Sequence, residues 1–378
     1  MLIEELRARL PDAQFFGLGG QAMEAAGCER VARAEDIAVM GITEVIQHMP
    51  RIYGEYRRLV RSIRARQPEV AVLIDFPDVN LRLARELKKM SIPVVYFVSP
   101  QLWAWKKRRI RWVQDRVTRM LVIFPFEESY YRERGVDAEF VGHPLAELPQ
   151  PTVTREEFAA RFALDPGKEW IALLPGSRPK EVRLNSPGMV AAAAKLGDRY
   201  DYILPAAATL SPTWVREIVA QCGSFSIHVV EDARAALFHA RASVVASGTA
   251  TVEAALIGNP FIVVYRLSNL SYAVARRLIN LPHVAMVNLI AGYRIVPELI
   301  QDEFTATNVA GALQPLLEEG PVREQMRQNL LNLRGALSVQ KDSGVLGTGN
   351  FIAANPIARV AECVVHLASA QNTPASSR

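Results

Sequence analysis

The sequence predicts an α/β protein made of two doubly wound, Rossmann-like domains facing across a cleft. Three observations carry that prediction. Short apolar runs of strand length alternate with helix-length segments from Val70 to Tyr265. The runs are apolar throughout rather than at every second residue, as expected of strands covered on both faces in parallel sheets. The alternation breaks once, at His143–Thr154, where Pro144, Pro149 and Pro151 interrupt it. Finally, the chain has 378 residues, 50% of them hydrophobic and 22% charged, which is enough to bury two separate cores.

Taken in order, Leu2–Leu10 reads as a helix and Gln14–Leu18 as a strand. In Glu44–Arg66 an apolar helical stripe (Val45, Ile46, Met49, Ile52, Tyr53, Tyr56, Leu59, Val60, Ile63) is flanked by Arg51, Arg57, Arg58, Arg61, Arg64 and Arg66. Pro50 should kink or restart this helix. Strands follow at Val70–Ile74, Val94–Val98, Met120–Ile123 and Glu139–Val141. Past the break, Thr154 and Glu157 have the spacing of a capping box that opens a new helix. The second set of strands is Trp170–Leu174, Tyr202–Leu204, Ile227–Val230, Ser243–Ala246 and Phe261–Tyr265. The expected domains are therefore 1–148 and 149–345. A C-terminal helix and tail, 346–378, is expected to pack back towards the first domain. A doubly wound domain ordinarily opens with a strand and a glycine-rich turn before its first helix. Here a helix stands at Met1, so the front edge of the first domain is expected to be missing.

Composition excludes several classes. Cys28, Cys222 and Cys363 are scattered, with neither a CxxC pair nor metal-ligand spacing, which argues against a disulfide scaffold and a zinc site and for a reducing compartment. No apolar run approaches the roughly 18 residues of a membrane span, and no signal-peptide pattern opens the chain. A cytoplasmic location is expected. The six histidines are isolated; His143, at a strand end, can reach the cleft. Gly17-Leu18-Gly19-Gly20 lacks the spacing of a dinucleotide fingerprint, so no cofactor is expected.

The richest segment is Val244–Ala255, where a strand stops at Ser247-Gly248-Thr249 and passes directly into an Ala-rich helix. Free amides at a helix start favour a phosphate, so Gly248 and Thr249 are candidates for one. Glu253 lies one turn on, on the same face as Thr249, and can accept hydrogen bonds from a ribose diol. Together they suit a nucleotide-sugar; the plainer alternative is a capped helix with a solvated Glu253. Leu174-Pro175-Gly176-Ser177-Arg178 places a second turn, with Ser177 and the cation Arg178, at another strand end, and Arg178 can fork onto a diphosphate. In Ile74–Asn80, Asp78 or Asn80 reads as the cap of a helix starting near Leu81. Asp75 comes too early for capping and is the candidate general base, provided that partial desolvation raises its pKa. Trp103–Trp112 holds three Trp with Lys106, Lys107, Arg108, Arg109 and Arg111. Beside the basic helix of Glu44–Arg66, Trp103, Trp105 and Lys106–Arg109 point to an anionic membrane surface rather than to nucleic acid. The alternative is a solvated basic helix anchored by its Trp rings.

These segments together resemble the lipid-A-disaccharide synthase family. Carrying the resemblance are Phe16–Met23, Val39–Val45, Ile74–Asn80, Tyr96–Trp105, Val141–Pro144, Leu174–Arg178, Ala246–Glu253 and Val287–Gly292, in family order over nearly the whole chain. The resemblance implies the GT-B fold and an inverting glycosyltransferase without a metal. It would join UDP-2,3-diacylglucosamine to 2,3-diacylglucosamine 1-phosphate through a β-1,6 bond and release UDP. It implies Asp75 as a residue needed for activity, Arg178 at the nucleotide, and Glu253 and Asn288 on the UDP side. It also implies a peripheral enzyme on the cytoplasmic face of a Gram-negative inner membrane, and allows a homodimer. Family members open with a strand and a Gly-Glu-(Ala/Thr)-Ser-Gly-Asp loop that nothing here matches, so a chain starting at Met1 is expected to be poorly stable and weakly active. Two alternatives stand beside this reading: another GT-B enzyme using UDP-GlcNAc, and an inactive nucleotide-sugar-binding remnant.

Overall fold

The computed structural model describes residues 1–33, 42–268, 272, 281–338 and 355–372, and the side chains of these except at 42–50 and 371–372. Val45, Ile46 and Met49 of the apolar stripe, the segment 39–41, and 346–354 of the expected C-terminal piece lie outside the described residues or side chains. The chain divides into two compact units, Met1–Pro144 with Val339–Arg378, and Leu145–Ser338.

In the first unit, β1 (Phe16–Gly19) and β2 (Glu29–Arg33) form a parallel pair. A separate four-stranded parallel sheet has the order β3 (Ala71–Ile74), β4 (Val94–Phe97), β5 (Arg119–Val122) and β6 (Ala138–Phe140). β2 was not expected, because Glu-Arg-Val-Ala-Arg carries charge at three of its five positions and buries only Ala32. The helix Ile42–Arg66 runs through Pro50, so the expected restart does not occur. Its Leu59 and Ile63 enter the core with Ala32, Leu73 and Leu81, while Tyr56 and Val60 pack at the margin and Tyr53 remains exposed. The helix Pro356–Asn372 packs on Leu2–Arg9, burying Val360, Ala361 and Val364, and its Arg359 donates to Glu139 at 2.5 Å.

The second unit is one six-stranded, wholly parallel sheet. Its strands are β7 (Trp170–Leu174), β8 (Asp201–Pro205), β9 (His228–Val230), β10 (Ala242–Ala246), β11 (Phe261–Tyr265) and β12 (Glu298–Ile300). They lie in the order β12-β11-β10-β7-β8-β9. Sequence order therefore reverses between β7 and β10, which makes this a doubly wound sheet whose switch point opens at their C-terminal ends. β12 was missed in the sequence: it is short, opens on Glu298 and presents no unbroken apolar run. The helix Arg155–Phe162 opens with the expected box: the Thr154 N–H donates to Glu157 Oε2 at 2.9 Å and the Glu157 N–H to Thr154 Oγ1 at 3.2 Å.

Candidate functional site

Two sequence-predicted turns meet at the switch point. Leu174 and Val245 are register partners on β7 and β10, so Pro175–Arg178 and Ala246–Thr249 leave the same edge of the sheet side by side. They differ in how their helix ends are satisfied. The helix Thr249–Ile257 has no side-chain cap, and Gly248 and Thr249 are exposed, leaving its first amides open to an anion. The helix Pro179–Leu196 is already occupied. Glu181 Oε2 accepts the N–H groups of Ser177 at 3.1 Å and Arg178 at 3.3 Å, and Oε1 takes the Arg178 guanidinium at 3.0 Å and the Tyr265 hydroxyl at 3.5 Å. Gly176, at φ +126°, is required by this arrangement: a Cβ there would lie 2.5 Å from the Glu181 carboxylate. Arg178 and Ser177 are exposed, as a ligand-facing pair must be. Sequence reasoning missed Glu181, although a Glu at the third helical position is a recognised capping signal.

Glu253 is half-buried and lies 3.5 Å from Arg234. Burial pushes its carboxyl up, and Arg234 opposes the rise. Ser247 Oγ donates to the Val284 carbonyl at 3.1 Å, tying this turn to the segment before the helix Met286–Ala291.

Asn288, expected on the UDP side, is held by internal partners. It is fully buried, and its amide is saturated inside the protein: Nδ2 donates to Val296 O and Glu298 Oε1, and Oδ1 accepts from the N–H groups of Ile295 and Val296. Its side chain is thereby committed within the protein. Asn288 organises the loop that Ser247 touches, together with Glu298, which accepts from the N–H groups of Val284 and Ala285.

In the first unit, the helix after β3 is Pro77–Lys89, four residues longer at its start than expected, with Pro77 in the first turn. Asp78 and Asn80 therefore lie inside the helix, and the capping role expected of them is corrected. Asn80, buried, donates Nδ2 to the carbonyls of Ile74 at 3.0 Å and Asp75 at 2.7 Å. Asp78 pairs with Arg109 at 2.5 Å and Lys106 at 3.4 Å. Burial works to raise its carboxyl, but the two cations outweigh this and hold it below the ordinary range. Asp75 is exposed and its carboxylate makes no hydrogen bond or ion pair among the described residues. The partial desolvation expected for it is not supplied within this unit.

The Trp-rich segment divides in two. Trp103 turns inward, contrary to expectation, and donates Nε1 at 3.0 Å to the buried Glu127, which also accepts from Ser99 Oγ at 2.7 Å. Burial pushes the Glu127 carboxyl up to about 7, against the opposing pull of the Ser99 and Trp103 donors. Trp105 and Trp112 are exposed, with Lys106 Nζ 4.1 Å from the Trp105 ring centre. Lys107 and Arg108 are exposed too, while Arg109 is drawn in by Asp78. His143 is buried against Phe124, and burial lowers it to about 4. Among the described residues no helix is long and apolar enough to cross a membrane.

A family model described as lipid-A-disaccharide synthetase matches residues 1–344. The lipid-A-disaccharide synthase of Acidobacterium capsulatum is 60% identical over 357 residues, covering 91% of this chain and 89% of that protein. The Koribacter versatilis protein of the same name is 51% identical over 335 residues, covering 88% of each. Among solved structures, the calicheamicin glycosyltransferase CalG4 superposes with a TM-score of 0.58 at 16% identity, over 100% of this chain and 94% of that one. Arabidopsis thaliana UGT89C1 complexed with UDP gives 0.59 at 14% identity, over 97% and 95%. Both are similar in fold, and the expected class of two Rossmann-like domains holds.

Proposed function

Since the chain belongs to the lipid-A-disaccharide synthetase family, we propose that it transfers the diacylglucosamine of UDP-2,3-diacylglucosamine to 2,3-diacylglucosamine 1-phosphate. The products are the β-1,6 disaccharide phosphate and UDP. The observation that carries the site assignment is the pair of turns, Ser177-Arg178 and Gly248-Thr249, at the switch point of a doubly wound sheet. Open amides and a guanidinium suit a diphosphate, and Glu253 stands one helical turn beyond to meet the ribose diol.

The reaction is a single in-line displacement. Asp75 accepts the proton of the acceptor 6-hydroxyl while that oxygen forms a bond to the donor anomeric carbon. The bond from that carbon to the diphosphate oxygen breaks on the opposite face, inverting the centre. Arg178 and the Gly248/Thr249 helix start stabilise the charge that grows on departing UDP. Asp75 is preferred to Asp78 because its carboxylate is uncommitted, whereas Asp78 is held by Arg109 and Lys106. Exposed Trp105, Lys106, Lys107 and Arg108 support a seat on an anionic membrane surface, from which acylated substrates are drawn.

The test is turnover with both acylated substrates beside calorimetric UDP binding. Asp75→Ala should lower kcat by about a hundredfold or more, the usual contribution of a general base, and leave UDP affinity unchanged. An active Asp75→Ala enzyme removes Asp75 as the base, and no turnover by the unmodified chain favours a binding remnant.

A further inference from the structure

The turn that carries Asp75 is strained, and two buried side chains hold it. Asp75 and Phe76 both adopt the left-handed conformation, each with φ of 45°, although neither is glycine or asparagine. Two successive residues there are unfavourable for side chains with a Cβ and persist only where the surroundings over-determine them. Here the surroundings are specific. The Tyr96 hydroxyl, on the fully buried ring at the centre of β4, donates to the Asp75 carbonyl at 2.6 Å. Asn80 Nδ2 donates to that same carbonyl at 2.7 Å and to the Ile74 carbonyl at 3.0 Å. The Asp75 N–H still donates to Phe97 O at 3.1 Å, so the residue is fixed from both sides of its α-carbon. A relaxed strand-to-helix connection would need none of this. In this left-handed conformation Asp75 remains exposed.

We propose that Tyr96 and Asn80 are positioning residues for the glycosyl transfer: they hold the Asp75–Phe76 turn in its left-handed form and thereby aim the Asp75 carboxylate at the acceptor hydroxyl. This rests on the assignment of Asp75 as the base. Neither side chain touches the reacting atoms; both act through one carbonyl oxygen. If the carboxylate drifts by an ångström, proton transfer slows while the nucleotide seat on the second unit is untouched.

The experiment is a double-mutant cycle on the full chain with Tyr96→Phe, Asp75→Ala and their combination, with Asn80→Ser as a second probe. Tyr96→Phe keeps the buried ring and removes one hydrogen bond. Its kcat should fall by about tenfold to a hundredfold, with the donor KM, UDP affinity and thermal midpoint close to wild type. Asn80→Ser should behave alike. On the Asp75→Ala background, Tyr96→Phe should cause no further fall, because the group it aims is gone. Wild-type kcat in Tyr96→Phe together with an inactive Asp75→Ala overturns the positioning role and leaves Asp75 as the base. An equal fall on both backgrounds also overturns it, since Tyr96 then acts only on the fold. An active Asp75→Ala removes the base assignment and this inference with it.

Discussion

Glu181 holds donors that the proposed diphosphate seat would share, and the consequence can be worked from its contacts. Its carboxylate holds two helix-end amides, at 3.1 and 3.3 Å, and the Arg178 guanidinium at 3.0 Å. If UDP takes the proposed seat, it competes with Glu181 for these donors, and its binding should release them. The Arg178 side chain is 59% exposed, so its ion pair contributes at most about 1 kcal/mol. A carboxylate at a helix start adds about 0.3–1 kcal/mol. Glu181→Gln keeps an oxygen for one amide but removes the charge, so it should forfeit about half of that total, roughly 0.7–1 kcal/mol. At about 1.4 kcal/mol per decade of Kd, UDP should bind the variant about three- to fivefold more tightly, and the gain should shrink in high salt. Calorimetric titration of wild type and variant at two salt concentrations measures it, with Arg178→Ala as the control that weakens binding. Unchanged or weaker UDP binding in a folded Glu181→Gln protein would refute the competition and leave Glu181 as a helix cap alone.

The remaining predictions concern the first unit. Glu127 is raised by burial from 4.5 to about 7, so its contribution to stability is fully present below pH 4.5 and is lost as pH rises through 7. At about 1.4 kcal/mol per pH unit the loss is about 3 kcal/mol. Glu127→Gln should therefore gain on wild type between pH 5 and pH 8 in urea melts, and a stability difference that does not change with pH contradicts this. His143 has the opposite sign: its pKa is lowered from 6.5 to about 4, and its contribution is present above 6.5 and lost as pH falls through 4. Trp105→Ala combined with Lys106→Gln and Lys107→Gln should weaken flotation with vesicles rich in anionic phosphatidylglycerol by about 1 kcal/mol per lysine. Equal flotation of variant and wild type would remove this segment as the membrane seat.

Legibility in the sequence followed the physics of each element. Six of the legible strands, such as Trp170–Leu174 and Phe261–Tyr265, are buried along nearly their whole length and so betray themselves as unbroken apolar runs; the part-buried Phe16–Gly19, Ala71–Ile74, Ala138–Phe140 and His228–Val230 were found too. Glu29–Arg33, half-exposed, and Glu298–Ile300, opening on a charged residue, carry no such signature. The helix start at Pro77 and the capping carboxylate of Glu181 were both legible, from a first-turn Pro and a third-position Glu, and were passed over. Asn288 was different. Its motif announces a polar residue that matters, but whether an amide faces a ligand or four internal partners depends on residues 295–298 folding back over it.

By itself the sequence determined the class of the fold, its alternation of strand and helix, and which turns follow strand ends, because burial and helix capping act over neighbouring residues. Only tertiary structure decided which turns lie side by side, which carboxylate is uncommitted and which is paired, and that Asp75 and Phe76 are left-handed. The reason is one of range. Strand order, ion pairing to Arg109 and the Tyr96 hydrogen bond join residues 21 to about 70 positions apart, and no local pattern encodes which distant partner will arrive.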